Sequence, residues 1–472
     1  MSLPALTPFP VVVIGGGISG LACAYQLQQA GIPARVLEAG TRPGGMIATK
    51  EKDGFRFELG PQSFLSTQPL LKLIDALGLK DQLLHADPKA PRYILSGGKL
   101  IPAPLAPPSL LTTPLLSAGT KWRIFSEMLH RTRPPANDES IATFIRRKFG
   151  DELLNKMVAP FVSGIYAGDP EKLGLRAAFP TLYEFESKYG SVLRGAMKSR
   201  PPKGTPRAGL CSFRKGMEAL PKALGGKLGD LLLAETKVLS LRRGNANGKQ
   251  WFEIDVKSRE QLETLSASAV AIAAPTQAAS QILKGISNQF PPTFARIEYA
   301  PVVVVAAGYR TEQIQLASRG FGFLVPRNEG LRVLGTVWNS SLFPGRAPEG
   351  MACFTSFAGG ATDPGLCDLS DDEITDIICG EVGRVLRITG KPVTTMVHRY
   401  AHAIPQYNLG HGETVSALGT LTSSVPGLFI AGNYLSGPSI GACVEQANRT
   451  ADAVRTYLAS IGVTGSGAVA HA

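Results

Sequence analysis

The sequence predicts a mixed α/β chain, α+β in its overall make-up. One domain is built on a parallel sheet, a second and discontinuous domain on an antiparallel sheet, and a helical insertion joins them. Three observations predict this. Near the N-terminus a β-branched run drops into a glycine-rich turn and then a helix. Near the C-terminus, 427–433 (Gly-Leu-Phe-Ile-Ala-Gly-Asn) is another apolar run that ends in glycine and leads into a helix. Between them, strand-length runs bounded by turns recur, interrupted by a helical stretch over 105–205.

Residues 11–14 (Val-Val-Val-Ile) read as a buried parallel strand. The turn Gly15-Gly16-Gly17-Ile18-Ser19-Gly20 follows, with a helix expected over 21–30. Gly15 permits the tight turn, Gly17 allows close approach to a diphosphate, and Gly20 lets helix and strand pack. The free N–H groups of the helix would receive the phosphates. A second strand, 34–37, ends at Glu38 and Ala39, where a Rossmann-like domain places a carboxylate on ribose hydroxyls.

Arg42-Pro43-Gly44-Gly45-Met46 is a basic, glycine-rich turn that adds N–H donors and one cation to the same diphosphate. It favours a flavin over a nicotinamide. Residues 54–63 form a short strand closing in the turn Gly60-Pro61-Gln62-Ser63. Residues 101–114 are crowded with Pro and Leu, and 117–131 reads as a helix. There Trp122, Phe125, Met128 and Leu129 would share a face flanked by Lys121, Arg123, His130 and Arg131. Such a face suits anionic lipid; the other reading is a core helix with a solvated basic side.

A Pro/Gly/basic loop, 201–209, marks a boundary. Strands are expected at 238–241, 251–256 and 269–274, with a turn over 244–248, and the last strand is closed by Pro275. Further strands at 301–306, 321–325, 332–337 and 352–357 suggest a mostly antiparallel sheet. Past Gly432 and Asn433, the segment Ser439-Ile440-Gly441 opens a helix over 442–458. Its N-terminus would face a flavin's pyrimidine edge and stabilise the negative charge that reduction puts there. The Ala- and Gly-rich end reads as a frayed tail.

With these residues in place, the chain resembles the FAD-binding amine-oxidase superfamily. Four further segments make it similar to the oxygen-dependent protoporphyrinogen oxidases: 161–170 (FVSGIYAGDP), 212–217 (SFRKGM), 320–326 (GFGFLVP) and 343–348 (FPGRAP). The likeness runs from about residue 10 to about residue 460. It implies an FAD domain over 1–88, 206–274 and 420–462, and a substrate domain over 89–104 and 275–419. The helical insertion, 105–205, would associate with membranes, and 463–472 is the tail.

The resemblance implies that non-covalent FAD takes hydride from a porphyrinogen and O2 reoxidises it, giving a porphyrin and H2O2. Protoporphyrinogen IX and coproporphyrinogen III both remain open. Arg92 would fork onto a substrate propionate. Leu324, Val337 and Phe357 would sandwich the tetrapyrrole, and Ala167 and Gly168 would leave it room. Val238 would touch the adenine through its backbone, and Tyr400 would lie near the cofactor. Gln62 stands where many relatives carry Asn, Tyr400 replaces a common Trp and Val337 a common Leu.

A formal net charge of +12 suits an anionic partner such as a polycarboxylate or an anionic membrane. No basic run is interleaved with aromatics, so nucleic acid is not expected. The six cysteines lack paired spacing and predict buried thiols in a reducing compartment. His398 and His402 fall in an expected strand, which favours structural roles over a metal site. Neither a targeting segment nor an apolar run of membrane-spanning length is read, so the expected location is cytoplasmic or peripheral on the cytoplasmic membrane. A homodimer is left open.

Two other readings are weighed. An amine or polyamine oxidase would carry an aromatic cage and often a cysteine for covalent flavin, which the Ala431-Gly432-Asn433-Tyr434 turn lacks. A flavin-free binding protein on this fold, as in Rab GDP-dissociation inhibitors, would have degraded glycines, and these are intact.

Overall fold

Strand Phe9–Ile14 lies inside a seven-stranded sheet ordered Leu232–Leu233, Ala34–Leu37, Phe9–Ile14, Gln261–Ile272, Lys249–Ser258, Thr236–Ala246. Leu428–Ile430 pairs in parallel with Gln261–Ile272. The structure is a computed structural model that describes residues 9–104, 107–199, 209–246, 249–316 and 319–463. Five strands run in parallel and stop at one edge, at Ile14, Leu37, Leu233, Ile272 and Ile430. Helices Ile18–Gln29 and Ile440–Ser460 cover one side of this sheet, where Leu21, Leu27, Val444 and Leu458 are buried. Leu283, Phe290, Phe294 and Tyr434 fill the other side.

The first helix starts three residues before the expected position, because Ile18 already follows the turn directly. Strand Gln261–Ile272 is much longer than expected. Its first half pairs antiparallel with Lys249–Ser258, its second half parallel with the N-terminal strand.

The second sheet also has seven strands: Thr394–Pro405, Tyr299–Arg310, Met351–Gly359, Val333–Val337, Gly322–Leu324, Arg92–Ser96, Lys99–Pro102. All neighbours are antiparallel except Gly322–Leu324 with Arg92–Ser96. Strand alternation sorts its side chains. Val303, Val305 and Phe354 pack on helix Asp371–Leu386 through Ile374, Ile378 and Val382. Val302, Val304, Phe357 and Tyr400 point the other way, against Met46 and Ala167.

Short helices between Pro107–Thr112 and Val192–Lys198 build the insertion around Ile124, Phe144, Val162 and Tyr166. Helix Ala118–Glu127 is capped by Ser117, whose hydroxyl accepts the Thr120 N–H. It ends four residues before the expected stop, as Met128 and Leu129 donate to carbonyls three residues back and the last turn tightens; Glu127 is buried at this end. Its buried carboxylate accepts the Val192 N–H at 2.9 Å and the Ser191 hydroxyl at 2.7 Å. It also pairs with buried Lys148 at 3.1 Å.

The expected apolar stripe on this helix faces outward. Ile124 is buried, whereas Trp122, Phe125 and Leu129 are 66%, 46% and 62% exposed, and Met128 is half-buried. Arg123 does not flank the stripe as a free cation, because its guanidinium donates to the Arg146 carbonyl at 2.8 Å. Among the described residues no helix is long and apolar enough to cross a membrane. The loop at 201–208, the turn residues 247–248 and the tail from 464 lie outside the described residues.

Candidate active site

The parallel edge gathers the predicted nucleotide-binding residues. Gly15 sits at φ +110°, and its N–H donates to the Leu37 carbonyl at 2.8 Å. A Cβ at Gly20 would lie 1.9 Å from the Gly15 carbonyl oxygen, so only glycine lets helix and turn meet. Gly17 differs: a Cβ there would meet nothing within 4 Å. Packing within the protein does not demand that glycine, whereas a diphosphate seated on the Ile18–Gln29 helix end does. The residues present therefore fit a dinucleotide.

The second glycine turn closes on the first. The Gly44 N–H donates to the Gly16 carbonyl at 2.7 Å. Glu38 accepts N–H bonds from Gly16 at 2.7 Å and Gly40 at 2.6 Å, which fixes its carboxylate at the strand end beside Ala39. Arg42 also has a use within the turn. Its guanidinium donates to the carbonyls of Pro43, Gly45 and Ile47 at 3.2, 2.9 and 3.0 Å, bracing the turn from within. Val238 is buried next to an irregularity in strand Thr236–Ala246.

Gly60, Pro61, Gln62 and Ser63 lead away from strand Phe55–Glu58. Gln62 is buried, donates to the Glu58 and Gly60 carbonyls, and accepts from the Asn339 amide at 2.6 Å. It thereby ties the cofactor-side turn to the residue two past Val337. Tyr400 donates weakly to the Met46 carbonyl at 3.4 Å, and burial pushes its phenol pKa up. Gly432 and Asn433 leave strand Leu428–Ile430, and Ser439 caps the Ile440–Ser460 helix by accepting the Ala442 N–H. Ile440 and Gly441 form that helix's first turn, where a Cβ at Gly441 would stand 3.0 Å from Thr67 Oγ1.

On the substrate side, Phe357, Ala167, Met46 and Tyr400 share one apolar cluster. Leu324 meets the insertion, since a Cβ at Gly164 would lie 2.8 Å from its Cδ2. Val337 belongs to a neighbouring cluster with Phe321 and Phe343. Ala167 is buried in the left-handed region at φ +45°, ending helix Ala159–Tyr166, and Gly168 follows. Arg92 is exposed, opposite Gly322 in the sheet, with its guanidinium 5.1 Å from the Phe321 ring.

Sequence reasoning missed the pair that joins strand Phe55–Glu58 to the loop before strand Met351–Gly359. Arg346 and Glu58 are both 0% exposed and 3.1 Å apart. Arg346 also donates to Ser212 Oγ at 2.7 Å, and Glu58 accepts the Met217 N–H at 3.0 Å. Burial pushes the Glu58 carboxyl up, with Arg346 working against it. The presence of Arg346 in FPGRAP and of Ser212 and Met217 in SFRKGM was the available signal. His398 stacks on Tyr400 and His402 on Tyr299, each edge-on. The described cysteines carry free thiols; Cys23, Cys211, Cys353 and Cys443 are buried.

A family model for flavin containing amine oxidoreductases matches residues 18–455. Protoporphyrinogen oxidase 1, chloroplastic, of Arabidopsis thaliana is 35% identical over 475 residues, covering 95% of this chain and 88% of that one. Coproporphyrinogen III oxidase of Bacillus subtilis (strain 168) is 31% identical over 472 residues, covering 95% and 98%. A crystal structure from Exiguobacterium sp. 255-15, provisionally described as a protoporphyrinogen oxidase, superposes with a TM-score of 0.80 at 25% identity, covering 96% of this chain and 100% of that one. The chain belongs to the flavin containing amine oxidoreductase family, alongside the protoporphyrinogen and coproporphyrinogen oxidases, and is an FAD-dependent oxidoreductase.

Proposed function

We propose that this enzyme oxidises protoporphyrinogen IX to protoporphyrin IX, with O2 as the acceptor. The observation that carries the reading is the shared cluster of Met46 and Tyr400 with Phe357 and Ala167. It brings the cofactor turn and the substrate sheet together, so a puckered macrocycle held there presents a methylene bridge to the flavin. When bound, FAD supplies the acceptor for hydride from a substrate methylene bridge.

The chain's own residues bind and orient. Leu324 and Phe357 offer apolar surface to the ring faces, and Val337 bounds the pocket on the Phe321 side. Arg92, at the exposed rim, holds a propionate while the ring enters the apolar interior. The Ala167–Gly168 turn bounds the macrocycle site beside Phe357, with Ala167 in the same cluster. Burial of the cluster excludes water from the reacting face.

Coproporphyrinogen III is the second reading, supported by a relative that this chain covers almost end to end. Purified enzyme is given each porphyrinogen in air, and porphyrin fluorescence is followed. A higher kcat/KM for protoporphyrinogen IX supports the first reading, and the reverse order supports the second. A yellow protein inert to both overturns the substrate class.

The outward stripe of Trp122, Phe125 and Leu129 supports peripheral binding to an anionic membrane. Co-sedimentation with anionic but not zwitterionic vesicles, lost in a Trp122→Ser/Phe125→Ser variant, is expected. Equal partition of parent and variant overturns it.

A further inference from the structure

Two consecutive residues just past strand Thr394–Pro405 each grip one wall of the active site. Gln406 is buried, and its side-chain amide donates to the Tyr166 carbonyl at 2.9 Å and the Ile404 carbonyl at 3.0 Å. A Cβ at Gly168 would lie 2.6 Å from Gln406 Oε1, so the amide presses directly on the substrate-side turn. That turn is held from the other side as well, because the Ala167 carbonyl accepts the Ala361 N–H at 2.7 Å.

Tyr407 grips the cofactor side. It is buried, and its hydroxyl donates to the carbonyl of Asn433, the residue after Gly432. Its ring lies flat on His411, with centroids 4.3 Å apart at 12°, and meets the Tyr166 ring at 5.7 Å. Its own carbonyl accepts the Gly174 N–H at 2.8 Å, which anchors the segment in the insertion.

We propose that Gln406 and Tyr407 are positioning residues that set the distance between the macrocycle and the flavin, one fixing the 166–168 turn and the other the Asn433 turn. Neighbouring Cα atoms are held about 3.8 Å apart by the trans peptide. Turns fastened to adjacent residues therefore have almost no slack between them. Hydride transfer needs reacting atoms within about 3–3.5 Å, and a displacement of about 1 Å can cost about 100-fold in rate. The substrate half of this inference rests on the porphyrinogen-oxidase reading; the flavin half does not.

Tyr407→Phe keeps the ring contacts and deletes one donor to Asn433. Release of FAD from the holoenzyme on dilution, followed by flavin fluorescence, should show a Kd raised about three- to ten-fold. The visible spectrum of the bound flavin should shift, and kcat should fall with KM held within about two-fold. Gln406→Leu should do the opposite, raising KM while leaving the FAD Kd unchanged. An unaltered FAD Kd and spectrum in Tyr407→Phe overturn the proposal, as does a Gln406→Leu variant that loses FAD without a change in KM. Should Tyr407→Phe fail to fold, His411→Ala, which removes the ring's seat, must weaken FAD in the same direction, or the proposal falls. A parent enzyme inert to porphyrinogens defeats the functional reading alone, and the FAD measurements still decide the role of Tyr407.

Discussion

At the scale of single residues, the glycine turn separates folding from binding. A Cβ at Gly17 meets nothing in the protein, so Gly17→Val should fold and melt near the parent's apoprotein temperature yet purify colourless. A yellow Gly17→Val protein would disprove the phosphate-seat assignment. Arg92→Ala should raise KM for the porphyrinogen with the FAD content unchanged, because the guanidinium touches Phe321 and no cofactor-side residue. An unchanged KM would remove Arg92 from the site. The glycine turn and the place of Glu38 at its strand end were legible because both follow from local sequence. The bonds of the Arg42 guanidinium to carbonyls of its own turn become visible only once the turn is folded. Gln62 with Asn339, and Glu58 with Arg346, join residues hundreds of positions apart, which no local pattern announces.

At the scale of elements, the insertion depends on charges placed inside it. Glu127 receives the first N–H groups of helix Val192–Lys198 and neutralises Lys148. Glu127→Ala leaves that ammonium with Glu186 as its remaining carboxylate, strands the Ser191 and Val192 donors, and should cost about 1–3 kcal/mol, read as a lower denaturation midpoint. Burial alone would raise the Glu186 pKa, but hydrogen bonds from Arg147, Thr132 and Lys148 bring it from 4.5 to about 2. The folded value lies below the unfolded one. Its stabilisation is therefore complete above 4.5 and fades as pH falls towards about 2. Melting temperatures of Glu186→Gln should decline less steeply than the parent's across that window; parallel slopes would refute it. The β-branched runs announced most strands, although their lengths did not follow from the runs. Gln261–Ile272 continues far beyond its apolar core because a hairpin partner extends the pairing. Helix Ala118–Glu127 ends in a tightened turn with Glu127 bonded to Val192, which periodicity alone does not show.

At the scale of the whole molecule, FAD should contribute to stability by mass action. Free FAD at about 100 times its Kd adds about 2.7 kcal/mol if the unfolded chain does not bind it. Holoenzyme should melt well above apoprotein, whereas Gly17→Val should show no response to added FAD. The two-sheet architecture was legible as a class. The interlock between the sheets was not, because it rests on the Arg346–Glu58 and Gln62–Asn339 contacts.

The central position of strand Phe9–Ile14 also has a consequence for biosynthesis. One of its edges finds Ala34–Leu37 almost at once, but the other waits for Gln261–Ile272, made about 250 residues later. At ordinary translation speeds that edge stays unpaired for roughly 10–50 s on the ribosome. Leu428–Ile430 and the Ile440–Ser460 helix, which complete the sheet and cover it, emerge last. The nascent chain thus carries an open, strongly apolar strand edge through about half of its synthesis, a template for wrong pairing, and co-expressed chaperones should raise its soluble yield.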